Sequence, residues 1–520
     1  MSSTTITFLV LGGVVTLFVW DRLPVAIVAV GAALALWATG VLELEQALAG
    51  FGDPTVVFIA SLFVVSEALD ATGVTSWAGQ QLIAQAGESR TRLLVLMMLL
   101  AALLTALITV NGAVAALVPV VAVMALRLGR PPSQLFMPLA FAAHAGSVLV
   151  LTGTPVNVIV SDAADEAGVG RFGYFEFALV GLPLVAGTIA IVVLLGERLL
   201  PHRSARAVTR DFSRHARTLV AHYELDHAPD TLLTRGSGVA EVVIPPRSEL
   251  VGDAVYPGMV TDRADLVVLA VHRKGEELTS ETVLAPGDTL LLHGPWGALE
   301  HRLDEPDLLA VDAPELVRRQ AVPLGPGAKR AIGVLVGMVV LLATGAVPPA
   351  VAGLMAAGSL ILLGVLSMEE AYRGISWTTV ILVGGMISLS TAMVETGAAA
   401  DLADELVRIV GGSGGYALLL GLFILTALLG QLISNMATAL IVIPVALSAA
   451  AEMDVSAKPV LMAVTVSAAA AFLTPVATPA NLMVMSPGGY RFNDYWKLGL
   501  PLLALFGFVA VLLVPVFWPL

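Results

Sequence analysis

The chain has 520 residues, of which 57% are hydrophobic and 13% charged, and its formal net charge is −13. Soluble domains carry about 25% charged residues, so an ordinary globular enzyme is excluded, and the acidic balance argues against a nucleic-acid polymer as partner. With no cysteine there are no disulfides, thiolate metal sites or cysteine nucleophiles.

From the amino terminus, apolar runs over 5–20, 23–42 and 54–70 read as membrane crossings, because about 20 apolar residues span a bilayer. The run 92–128 folds back near Asn111 as a re-entrant hairpin, 134–161 is a long interrupted crossing, and 174–197 is a fifth crossing. Polar residues thicken at Glu197-Arg198 and stay dense to Lys329-Arg330. Beyond them come crossings at 329–345, 348–366, 378–395, 459–485 and 498–518, with a hairpin at 416–450. The expected fold is an all-α polytopic membrane protein of three parts: a first transmembrane repeat (1–200), an insert (201–327) and a second repeat (328–520).

The two apolar parts match at one offset. Gly40-Val41-Leu42 returns as Gly364-Val365-Leu366, Thr72-Gly73 as Thr396-Gly397, and Thr154-Pro155-x-Asn157 as Thr478-Pro479-x-Asn481, each 324 places on. Asn111 pairs with Asn435 at the same spacing. Five crossings per copy is an odd number, so the second copy enters from the opposite side and the repeats are inverted. Duplicated halves place a transporter's site at the repeat interface near mid-membrane. With the amino terminus outside, the inward segments hold Arg22, Arg90, Arg92, Arg127, Arg130, Arg198, Arg203, Arg373, Arg491 and Lys497. That bias fits the positive-inside rule. It implies a multi-pass protein of the plasma (inner) membrane, both termini outside and the insert cytoplasmic.

Within the insert, 238–244, 265–273 and 289–293 pattern as strands. Lys274-Gly275 and Gly294-Pro295 supply turns, and 296–303 reads as a helix. This is a small α+β unit, preceded by a tether over 204–234. No catalytic triad or phosphate-cradling loop stands out, so no enzyme activity is expected.

Two polar interruptions occur once in each copy. The first is the hairpin tip, Thr109-Val110-Asn111-Gly112-Ala113 and Ile433-Ser434-Asn435-Met436-Ala437-Thr438. A tip that stops mid-membrane leaves helix-start N–H groups, which suit an anion without any basic side chain. Nearby turned carbonyls suit a small cation. The second is the break Thr152-Gly153-Thr154-Pro155-Val156-Asn157, paired with Val476-Ala477-Thr478-Pro479-Ala480-Asn481. Proline lacks a donor and clashes with the preceding turn, so each helix is expected to unwind there. The candidate substrate residues are Asn111, Gly112, Thr154, Pro155, Ser434, Asn435, Met436, Thr478 and Pro479. Candidate sodium ligands, partly through carbonyls, are Val110, Asn111, Gly153, Ser434, Asn435 and Ala477. His144, ten places before Thr154, and Glu67 are the ionisable candidates for proton coupling.

Ser434-Asn435 with Thr438, the two Thr-Pro-x-Asn breaks and the tail from Gly488 to Lys497 resemble the divalent-anion/sodium symporter family of the ion-transporter superfamily. The resemblance implies a homodimer, an elevator-type movement of the site and sodium-coupled uptake of a small divalent anion, sulfate or a C4-dicarboxylate. That family's Ser-Asn-Thr tips fall on Val110-Asn111-Gly112 and Ser434-Asn435-Met436. Both asparagines are kept and both threonines are absent, which favours a smaller, rounder anion. Ser248-x-Leu250-Val251-Gly252 and Ala285-Pro286-Gly287-Asp288-Thr289-Leu290 resemble the TrkA-C module over about 235–305, which implies a small-molecule or nucleotide regulator. The alternatives are a proton-coupled or exchange transporter of the same superfamily, for arsenite, citrate or sodium/proton, or a gated channel.

Overall fold

The computed structural model describes residues 2–520 apart from positions 21, 76, 79–80, 82–88, 128–130, 204–236, 262–265, 274–275, 279, 304–306, 312–323, 326, 411–413 and 476. The expected tether and the Lys274-Gly275 turn lie outside the described residues. The chain divides into two compact units. One comprises Met1–Asp70, Ala78–Thr209 and Lys329–Leu520; the other comprises Ala71–Trp77 and Arg210–Ala328.

The first repeat contains α1 (Ser3–Trp20), α2 (Val25–Ala38), α3 (Leu44–Ala49), α4 (Pro54–Ala71), α5 (Arg90–Leu107), α6 (Val110–Arg127), α7 (Phe136–Gly146), α8 (Pro155–Glu166) and α9 (Ala178–Leu199). The insert contains β1 (Ser237–Val243), β2 (Ala254–Val255), β3 (Val267–Arg273), β4 (Glu276–Glu277), β5 (Thr282–Val283), β6 (Thr289–Pro295), α10 (Trp296–Leu303) and β7 (Leu309–Ala310). The second repeat follows with α11 (Ala328–Thr344), α12 (Pro349–Leu362), α13 (Met368–Gly374), α14 (Trp377–Glu395), α15 (Ala398–Val410), α16 (Gly415–Leu432) and α17 (Asn435–Glu452). It ends with α18 (Ala457–Ala468), α19 (Pro479–Met485), α20 (Tyr495–Phe508), a π-helical turn over Val509–Leu513 and α21 (Val514–Phe517).

Among the described residues, eight helical runs are long and apolar enough to cross a membrane, and α2, α12 and α18 are shorter apolar helices. Their outer surfaces stay apolar, with Leu194 74% and Leu362 89% exposed. Exposed apolar surface on this scale marks a surface that water does not cover.

The duplication is visible in the packing. Helices α2 and α12, α3 and α13, and α8 and α19 begin 324 residues apart. A Cβ on Gly385 would sit 2.8 Å from the Ala29 backbone, and one on Gly353 would sit 2.9 Å from the Ser61 Cβ. Ala29 and Gly353, like Ser61 and Gly385, are repeat partners. Each copy's α2-type helix thus packs on the other copy's α4-type helix, as two related copies clasping each other would. Small residues let these backbones approach where lipid removes the hydrophobic drive.

Three short helices were absent from the sequence reading. Helices α3 and α13 each begin in a capping box, Glu43 with Gln46 and Ser367 with Glu370. The third, α15, buries Ala398, Ala399 and Ala403 and packs against α17.

In the insert, five strands form an antiparallel sheet in the order β4-β3-β6-β1-β7, while β2 pairs with β5. Val242, Ile244, Val268, Leu290, Leu292, Trp296 and Leu299 form its core. Asp288, in the Ala-Pro-Gly-Asp turn, accepts from Arg273 Nε and Nη2 at 2.7 Å each and from the Ala285 N–H at 2.8 Å. Gly287 is at φ +88°, the left-handed conformation that favours glycine. The motif therefore closes the β5–β6 turn.

Candidate functional site

Both hairpins turn at mid-chain as expected. Their offset is 325 rather than 324, since α5 and α16 end at Leu107 and Leu432 and α6 and α17 begin at Val110 and Asn435. Thr109 and Ser434 are the equivalent residues. Thr109 Oγ1 accepts from the Gly112 N–H at 3.2 Å, and Ser434 Oγ accepts from the Ala437 N–H at 3.3 Å. Asn435 is thus the first residue of its helix, whereas Asn111 is the second. The Ser434 hydroxyl serves as a helix cap. The N–H groups of Val110, Asn111, Asn435 and Met436 are the helix-start donors beside these caps.

Both breaks are unwound, and the prolines stand elsewhere than expected. Thr154 (φ −152°, ψ 147°) and Thr478 (φ −147°, ψ 150°) are extended N-cap residues, and Pro155 and Pro479 open α8 and α19. Proline suits that first position because its missing N–H has no helical partner there. The irregular stretches precede the prolines, from Ser147 to Thr154 and from Ala469 to Thr478.

The asparagines of the breaks hold these stretches in shape. Asn157 Nδ2 donates to the carbonyls of Ser147 and Val150, both at 2.8 Å. Asn481 Nδ2 donates to those of Ala471 and Thr474, at 2.8 and 3.1 Å. All three positions correspond at 324. Each break is also tied to its own hairpin: Thr152 Oγ1 donates to Ala106 O at 3.2 Å, and Gln431 bridges the Ala470 carbonyl and the Leu473 N–H. Gly153 is obligatory, since a Cβ there would lie 2.4 Å from Ser147 O.

The four interruptions interleave across the duplication. Helix α19, which starts at the second break, packs on α6, which starts at the first tip; reciprocally, α8 packs on α17. The helix starts carrying Thr154, Asn435, Thr478 and Asn111 therefore belong to one packed group. Among the described residues, Oδ1 of Asn157, Asn435 and Asn481 and Oγ1 of Thr438 are buried without a hydrogen-bond partner. Asn111 is exposed, and Gly112, Thr154 and Met436 are half-buried.

Of the ionisable candidates, His144 is 1% exposed and its Nε2 lies 3.1 Å from Thr478 Oγ1. Glu67 sits elsewhere, on α4 against Gly374 of α13. Sequence reasoning missed Asn157, Asn481 and Gln431. The asparagines carried a signal, since each stands two places after its proline in both copies.

A family model described as citrate transporter matches residues 15–439 and, a second time, 339–519. The chain belongs to the citrate transporter family. It is similar to the uncharacterized transporter YfbS of Escherichia coli, with 32% identity covering 97% of each chain. It is also similar to sodium/sulfate cotransporter 1 of Chlamydomonas reinhardtii, with 28% identity over 56% of this chain and 34% of that one. The crystal structure of the Alcanivorax borkumensis YdaH transporter shares its fold, with a TM-score of 0.52 and 15% identity, covering 97% of this chain and 99% of that one. The family places the chain among membrane transporters of the ion-transporter superfamily, and not among enzymes.

Proposed function

We propose that this transporter takes up a small divalent anion, sulfate or a C4-dicarboxylate, coupled to sodium. The observation that carries the reading is the interleaving of tips and breaks, α6 with α19 and α17 with α8. It gathers helix-start donors, which attract anions, and unwound carbonyls, which attract small cations. The relative named as a sodium/sulfate cotransporter supports sulfate as the anion. The absence of tip threonines at Gly112 and Met436 points the same way.

The donors fit sodium. Asn435 Oδ1 and Thr438 Oγ1 are neutral oxygens without partners, and among the described residues no cluster of His, Cys, Asp or Glu could hold a metal. Asn435, Thr438 and the carbonyls of Gly153 and Ala477 would hold the ion. When bound it supplies positive charge beside the anion. Asn111, Gly112, Thr154, Asn435 and Met436 provide the anion's donors through backbone N–H, amide or hydroxyl groups. Elevator-type movement in a homodimer, cytoplasmic placement of the insert and ligand sensing by it complete the proposal.

The test is uptake of radiolabelled sulfate and succinate into proteoliposomes with a sodium or a choline gradient. Uptake should require sodium and fall at least tenfold in Asn111→Ala and Asn435→Ala. Sodium-independent uptake that survives both changes would sink the proposal. The His144–Thr478 contact favours a second reading, proton-coupled or exchange transport. Uptake that follows a pH gradient and disappears in His144→Ala would select it.

A further inference from the structure

The two breaks are built alike but are not held alike. Thr478 Oγ1 accepts from the Asn481 N–H at 3.3 Å and lies 3.1 Å from His144 Nε2. Its repeat partner Thr154 is half-buried and makes no side-chain cap. The residue that could supply the equivalent bond to Thr154 is Ala468, the partner of His144, which has no polar group. His144 itself is fixed. Its ring meets the Phe472 ring edge-on at 5.9 Å, and its carbonyl accepts from Ser147 Oγ at 2.7 Å. It thus sits one turn before the first break and reaches across the repeat boundary into the second.

We infer that His144 is a positioning residue that locks the second break, leaving the first to answer to the ligand. The Thr478 hydroxyl is consumed within the fold, so it is not a substrate contact, in contrast to the role expected of it from sequence. The Thr154 hydroxyl is the one available to the anion. The duplicated site is therefore asymmetric, with a fixed half and a responsive half. This rests on the proposed site but not on which anion or coupling ion uses it.

The experiment has two readouts on the full chain. The first is a double-mutant cycle of thermal unfolding in detergent without ligand, because side chains that share one bond are non-additive when removed. His144→Leu and Thr478→Val should each lower Tm, and the double variant should fall no further than the worse single. Thr154→Val should leave Tm within a degree or two and add independently to His144→Leu. The second readout is sulfate uptake in proteoliposomes. Thr154→Val should raise KM more than fivefold with Vmax within twofold. His144→Leu should lower Vmax at least fivefold, and His144→Gln, whose amide can meet the same hydroxyl, should restore half or more.

If Gln and Leu at 144 behave alike in both readouts, or Thr154→Val couples to His144→Leu as strongly as Thr478→Val does, the inference is overturned. Should Leu prevent folding, the Gln variant with Thr478→Val and with Thr478→Ser carries the cycle. A wild-type chain that moves no sulfate refutes the proposed substrate, and the unfolding cycle then decides the positioning role alone.

Discussion

Asn157 and Asn481, 324 residues apart, perform one task at two places. Each side-chain amide spans the unwound stretch before its own helix and donates to the carbonyls ten and seven residues back. Both residues are 0% exposed, so no water replaces the bonds when the amide is removed. A hydrogen bond contributes about 1 kcal/mol net, and an orphaned buried carbonyl costs about 1–3 kcal/mol. Asn157→Ala and Asn481→Ala should each destabilise by about 2–4 kcal/mol, read as a lowered denaturation midpoint in detergent. Asn111→Ala, at an exposed position, should leave the midpoint near wild type. Equal losses at 111 and 157 would remove the distinction between the binding tip and the structural break.

The contact between Gly50 and α14 predicts a steric failure. A Cβ on Gly50 would lie 2.1 Å from the Gly384 carbonyl oxygen, which is backbone and cannot move aside alone. Overpacking costs about 1–3 kcal/mol and sometimes more, so Gly50→Ala should lower Tm and the yield of folded protein. Gly31, on α2, has nothing within 4 Å of its added Cβ. Gly31→Ala should be neutral or gain up to about 1 kcal/mol from helix propensity. Thermal melts of the two variants side by side check this.

Much of this architecture was legible because lipid permits few solutions. Apolar runs, the constant offset and the Thr-Pro pairs located the hairpins and breaks, and the Gly294-Pro295 turn located α10 over 296–303. What was lost lay where apolar pattern is silent. Helix α13 announces itself only by Ser367-x-x-Glu370, a short polar capping box between two longer apolar runs. The tips drift by one residue relative to the spans, and no hydrophobic period records that drift, so Asn111 was set against Asn435 instead of one place deeper. The role of His144 depends on a contact across 334 residues of chain, which a motif search within one copy cannot contain.

The first repeat ends in a clasp on the second. Arg203 Nη1 donates to Asp494 Oδ2 at 2.6 Å and to Gly489 O at 3.3 Å, and the Arg203 N–H donates to Ser133 Oγ at 2.9 Å. The Asp494 side chain is 6% exposed and that of Arg203 33%. Removing one member of a buried pair costs about 3–5 kcal/mol, and partial exposure of the arginine brings the expectation nearer 2 kcal/mol. Arg203→Met should lower Tm, and adding Asp494→Asn should recover a large part of the loss. Additive losses in the double variant would mean that the two charges do not act as a pair.

The insert should carry an acid-sensitive latch at Asp288. Hydrogen bonds from Arg273 are the main cause holding its carboxyl below the ordinary range; the Ala285 N–H and the guanidinium charge act in the same direction, against the opposing effect of burial. A carboxyl depressed in the folded state contributes stability above its unfolded pKa, about 3.9. That contribution is lost as pH falls through the lower folded value. The sheet should therefore resist an acid protease at pH 5 and open progressively below about pH 4, with new cleavages between Ser237 and Pro295. Asp288→Asn removes the titration, so its cleavage should start from a higher level at pH 5 and change less with pH. Parallel pH profiles for wild type and variant, followed by mass spectrometry of the fragments, would show that the latch lies elsewhere in the insert.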